Sequence, residues 1–177
     1  DFPLERKRKF LSVINNETIR LTKLVNDFLD LKRLESGAEK LRTERFDVAT
    51  LLDDTVTLFR RDDLPHAFEL EIGDDSTLVR GDPDRTRQIL ANLVSNAVKF
   101  SPDGGRVTIG ARREGAFVVV SVRDNGIGMS EQTIAKLFRK FFRADNAETR
   151  SIGGTGLGLA LVKEIVEQQG GRVSVTS

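Results

Sequence analysis

Asn92 and Asn96 stand four residues apart, so in a helix they share one face. Lys99, three residues on, falls near the same face. The segment opens at Asp82-Pro83, a favoured N-cap followed by a residue favoured at the first helical position. Ile89, Leu90, Leu93, Val94 and Ala97 form an apolar stripe at helical spacing. Two amides and an ammonium beside such a stripe are costly to bury without partners. Taken alone they could be a solvated face. Downstream, Asp124-Asn125-Gly126-Ile127-Gly128 and Gly153-Gly154-Thr155-Gly156-Leu157-Gly158-Leu159 supply two glycine-rich turns. Glycine permits positive φ and close backbone approach, and N–H groups that open a helix can hold phosphate. An amide-bearing helix face with two such turns points to a nucleotide pocket.

These stretches resemble the signature motifs of bacterial sensor histidine kinases. Asn92 to Phe100 is similar to the family's asparagine box, and Asp124 to Gly128 to its first glycine box. Phe138-Arg139-Lys140-Phe141-Phe142-Arg143 is similar to its phenylalanine box, and Gly154 to Leu159 to its second glycine box. All four occur in the family's order, and residues 1–41 resemble the end of its dimerisation domain. The resemblance implies an α+β fold: a two-layer α/β sandwich with helices on one face of a mixed sheet, preceded by a long bundle-forming helix. It divides the chain into a partial dimerisation segment, 1–41, and an ATP-binding domain, 42–177. Beside the family, the acceptor-histidine helix and the last strand are expected to be missing.

The resemblance also assigns roles. Asp124 accepts hydrogen bonds only, so it would take the exocyclic amine of adenine and repel the carbonyl of guanine. Gly126 and Gly128 let backbone approach the base. Asn96 is the expected magnesium ligand, since magnesium prefers oxygen and retains several waters. Asn92 would hold a magnesium-bound water or orient phosphates. Related ATPases carry a glutamate that activates water at this position, and an amide is a poor base, so hydrolysis should be slow. Lys99 would offset phosphate charge, and Arg143 would reach the γ-phosphate. Gly154, Thr155, Gly156, Leu157 and Gly158 would cradle phosphates through backbone N–H groups, while the Leu157 side chain packs the helix. Residues 129–153 would form a lid, with Phe138 in a small core cluster under a loop. The implied cofactors are ATP and magnesium. The implied partners are the dimerisation helices of a homodimer and the receiver domain of a response regulator, in the cytoplasm. A non-catalytic, nucleotide-gated module and a stand-alone ATPase of the same superfamily are the alternatives.

Composition narrows the choice. The chain has 177 residues, a net charge of +1 and no cysteine, which excludes disulfides and thiolate metal sites. Interspersed charges argue against a nucleic-acid binder. No apolar run approaches the roughly 20 residues that span a bilayer, so no membrane contact is expected. His66 is the only histidine. It follows Leu64-Pro65 rather than lying on a bundle helix, and reads as a solvated loop residue.

The elements that must position these groups follow from periodicity. Residues 4–35 read as one helix, with Phe10, Ile14, Leu21, Leu24, Phe28 and Leu31 at alternating spacings of four and three once Glu17 fills the slot between Ile14 and Leu21. Residues 40–46 read as a connector or first strand, 48–61 as a helix and 68–72 as a strand. A short strand at 78–79 precedes the Asp82 helix. Strands at 106–112 and 117–123 flank a turn, and Ser130 starts a short helix. Residues 155–169 read as the last helix and 172–176 as a closing strand.

Overall fold

A computed structural model of the protein describes residues 3–60, 64–73, 75, 77–144 and 152–177. Helix α1 (Leu4–Glu35) leads into β1 (Glu44–Asp47), α2 (Val48–Phe59), β2 (His66–Ile72) and β3 (Leu78–Gly81). Then come α3 (Pro83–Lys99), β4 (Gly105–Glu114), β5 (Phe117–Asp124), α4 (Glu131–Ile134) and α5 (Gly158–Gln168). β2, β4 and β5 form a mixed sheet in that order, with β2 parallel and β5 antiparallel to β4. β1 and β3 pair separately as an antiparallel ribbon. This is the expected α+β architecture, with its strands split between two small sheets.

Two cores hold it together. In the first, Leu52 and Val56 of α2 and Leu90 and Val94 of α3 pack on Phe68, Val107 and Ile109 of the sheet. In the second, Leu31 and Leu34 of α1 meet Ile89 of α3 and Leu157, Leu161 and Ile165 around α5. The end of α1 is therefore an internal wall of the part formed by residues 42–177. Its earlier apolar positions, including Phe10, Leu11, Ile14 and Leu21, are exposed.

The caps follow the sequence. Asp82 accepts from the N–H groups of Asp84 and Arg85, both at 3.0 Å, and opens α3. Asp47 caps α2 and Ser130 caps α4. Gly115, with φ +60°, turns the chain between β4 and β5.

Several boundaries differ from expectation. α2 ends at Phe59, because Arg60 is already extended. α5 starts at Gly158 rather than Thr155, since Gly156 has φ +72° and cannot lie in a right-handed helix. Residues 172–176 form no strand; Val173 instead packs against the second core. His66 is not a solvated loop residue. It opens β2, half-buried, with Nε2 2.9 Å from the Ser101 carbonyl. Among the described residues, no helix is long and apolar enough to cross a membrane.

Candidate nucleotide site

The site residues meet where α3, the end of β5 and the loop before α5 converge. The two Asn residues ride α3 one turn apart. The Asn92 amide donates to the Gln88 carbonyl at 3.1 Å, one turn back. Its Oδ1 faces Gly158, where an added Cβ would lie 2.9 Å away. Any side chain at 158 would therefore displace the amide, and glycine there keeps the loop against the helix. Asn96 is half-buried, and no side-chain hydrogen bond ties its amide among the described residues. That leaves its oxygen available to a hard cation, which fits the magnesium expectation.

Lys99 lies on the surface beyond them, yet its ammonium is partly desolvated. Burial lowers its pKa below the usual lysine value, the nearby Lys23 lowers it further, and Asp27 partly opposes. Lys99 thus carries a positive charge that this protein does not fully match.

The turn after β5 is tied to the end of the same helix. Asp124 is exposed, and its Oδ1 accepts the Gly126 N–H at 2.9 Å, closing an Asx turn. The Ile127 N–H donates to the Phe100 carbonyl at 3.0 Å. A Cβ on Gly126 would stand 2.1 Å from that same carbonyl, so the chain passes there only as glycine. Gly128 adopts φ +68°.

The glycine-rich loop before α5 meets the phenylalanine segment. A Cβ on Gly156 would approach the Phe141 backbone to 2.8 Å. Phe141 itself has φ +60°, the one non-glycine residue with positive φ among those described. Gly153 and Gly154 face open space. Leu157 is fully buried in the second core, so its side chain packs as expected and only its backbone borders the loop. Its N–H is taken by Thr155 Oγ1 at 3.3 Å.

Arg143 stands apart from the helix face. Its guanidinium donates to the Ile152 carbonyl at 2.9 Å, bridging the two described ends of the expected lid. Residues 145–151 of that lid lie outside the described residues. Phe141 reaches the long helix, its ring 6.4 Å from that of Phe28, and Lys140 pairs with Glu35. That ion pair is the leading influence holding the Glu35 carboxyl below its usual range. Phe138 and Phe142 are half-buried.

Sequence reasoning missed the α1 side of this site. Asp27 is buried and accepts a hydrogen bond from Thr155 Oγ1 at 3.2 Å. Lys23 donates to the same carboxylate at 3.1 Å. An open cleft of about 420 Å³ runs beside them, lined by Thr22, Lys23, Asn26, Asp27 and Asp30 of α1 and Gln88 of α3. A carboxylate among lysines on a helix reads as surface, and only the fold brings residue 155 to it.

The chain is similar to several known proteins. Residues 81–177 match the family model described as histidine kinase-, DNA gyrase B-, and HSP90-like ATPase. The circadian input-output histidine kinase CikA of Synechococcus elongatus is 38% identical over 177 residues, covering 98% of this chain and 24% of its own. The sensor histidine kinase WalK of Bacillus subtilis is 38% identical over 168 residues, covering 93% and 28%. The chain thus spans about a quarter of the length of these curated relatives. Among solved structures, ThkA in complex with the response regulator protein TrrA superposes with a TM-score of 0.76 at 28% identity, over 97% of this chain and 47% of that one. Full-length ShkA in complex with AMPPNP gives 0.73 at 29% identity, over 96% and 35%. With its four motifs joined around one site, the chain belongs to the histidine kinase-, DNA gyrase B-, and HSP90-like ATPase family, as the histidine-kinase ATPase domain of a two-component sensor.

Proposed function

We propose that this chain binds ATP with magnesium and directs the γ-phosphoryl group to a histidine of a dimerisation domain, for relay to a response-regulator aspartate. One observation carries the reading: the four motifs are held together by direct contacts. Asn92 abuts Gly158, Ile127 bonds to Phe100, and Gly156 lies against Phe141. Separate structural roles for these residues would not require one shared site.

In this reading Asp124 keeps Oδ2 for the adenine amine, because Gly126 engages Oδ1. Asn96 would hold magnesium through its amide oxygen. Asn92 would orient phosphates, and Lys99 would offset their charge. Arg143 would leave the Ile152 carbonyl to reach the γ-phosphate. ATP supplies the transferable group, and magnesium neutralises phosphate charge. With an amide at residue 92, the site lacks a carboxylate there to activate water, which favours transfer over hydrolysis.

The exposed apolar positions of α1 suit pairing with bundle helices of a second copy. ThkA was solved with TrrA and ShkA with AMPPNP, which supports a receiver domain and an adenine nucleotide as partners of this chain too. The test is incubation with labelled ATP and magnesium, with and without a dimerisation domain that carries a histidine. Label is expected on the added histidine, as acid-labile, base-stable phosphate. His66 should stay unlabelled, because it is half-buried in β2 with its Nε2 engaged. Nucleotide binding without transfer would instead favour the non-catalytic module, and rapid phosphate release the stand-alone ATPase.

A further inference from the structure

Asp27 sits on α1, 5% exposed, where a charge needs partners. Its Oδ1 accepts from Lys23 Nζ at 3.1 Å, and its Oδ2 from Thr155 Oγ1 at 3.2 Å. Thr155 Oγ1 accepts in turn from the Leu157 N–H at 3.3 Å. A line of hydrogen bonds therefore joins the long helix, the glycine-rich loop and the N-cap of α5. Leu157 is that N-cap, and no side chain caps α5. In the described structure, one donor of this loop, the Thr155 hydroxyl, is turned toward a carboxylate.

A phosphate at the same loop would compete for that donor and would repel the same carboxylate. The charge of Asp27 is also felt by Lys99. We propose that Asp27 is a built-in competitor of nucleotide phosphate: its bond from Thr155 pins the loop to α1, and nucleotide binding breaks that bond. The proposal rests on the reading that residues 154–158 take phosphate.

The fold decides which part moves. Leu31 and Leu34, each 1% exposed, are sunk in the second core. Two buried leucines outweigh one hydrogen bond, so α1 stays seated and the loop lets go. Lys23, freed from Asp27 or shared with it, then faces the same region as Lys99.

The test uses Asp27→Ala and Asp27→Asn in the whole chain, with calorimetric titration of ADP-magnesium and thermal unfolding with and without nucleotide. Asp27→Ala is expected to tighten ADP by about 3- to 30-fold, the equivalent of one hydrogen bond. It should lower the melting temperature of the free protein more than that of the saturated protein. Asp27→Asn keeps an acceptor and removes the charge, so its gain in affinity should be smaller. It also decides the matter if the alanine variant does not fold. Equal loss of melting temperature in both states, with affinity unchanged or weakened, would make Asp27 a structural pin and overturn the proposal. If the parent protein itself binds no nucleotide, the phosphate reading fails first and the competitor role falls with it.

Discussion

Asp124 and Lys99 illustrate opposite uses of charge at one site. The Asp124 carboxylate is half committed to the Gly126 N–H, and its other oxygen remains for a ligand donor. Asp124→Asn would keep the turn acceptor but present an amide donor to the adenine amine. ATP affinity is expected to fall by an amount on the order of 1–3 kcal/mol, the cost of a mispaired buried polar group. Titration with ATP and GTP checks it, and discrimination between the two should narrow. Lys99 is a cation held at a disadvantage. Its folded-state pKa lies below the unfolded value of 10.5, chiefly through burial and then through Lys23. Below that lowered pKa the ammonium burdens the fold, and the burden lifts as pH rises through it. Lys99→Met should therefore raise the melting temperature of the free protein at neutral pH while weakening nucleotide binding. A gain in stability without a loss in affinity would remove Lys99 from the phosphate site.

At the scale of elements, α3 is the spine of the site, and its N-terminus is anchored by one residue. The Asp82 carboxylate accepts the N–H groups of Asp84, Arg85 and Arg42, all at 3.0 Å, while its own N–H donates to Gln169 Oε1 at 2.8 Å. Burial alone would raise its pKa, but these donors outweigh burial and hold it below 3.8. A depressed carboxyl stabilises fully above its unfolded pKa, and that contribution is lost as pH falls through the folded value. Asp82→Ala is expected to cost about 0.5–2 kcal/mol in urea unfolding at pH 7. The deficit should shrink as the pH falls from 3.8 through the lower folded value, where the parent also loses its charged cap. This helix was legible in the sequence because Asp82-Pro83 and the apolar stripe agree on its position. The start of α5 was not, because the pattern reads as helical from Thr155 and only the conformation of Gly156 delays the helix. The closing strand was misread because the same alternation fits a segment that packs Val173 against the second core without pairing. Asp27 was invisible as a site residue because its partner lies 128 positions away.

Across the whole molecule, the boundary drawn near residue 41 separates sequence segments but does not separate cores. Leu34 lies in one cluster with Leu157, Leu161 and Ile165, and the Leu34 carbonyl accepts from Gln168 at 2.9 Å. Arg85 of α3 spans the same junction, paired with Asp30 and Glu39. Leu34→Ala should destabilise the ATP-binding half by about 2–5 kcal/mol, read as a shift in the α5 amides by hydrogen exchange as well as in global unfolding. If only α1 lost protection, the two parts would be independent folding units.

α1 is one unbroken rod of 32 residues, about 48 Å long at the usual rise, with its far end bare and its near end keyed into the nucleotide half. Such a rod works as a strut rather than an axle, because Leu31 and Leu34 are clamped in the second core and cannot turn without disturbing α5. A load applied at the exposed end is therefore delivered to the packing around Leu157, Leu161 and Ile165.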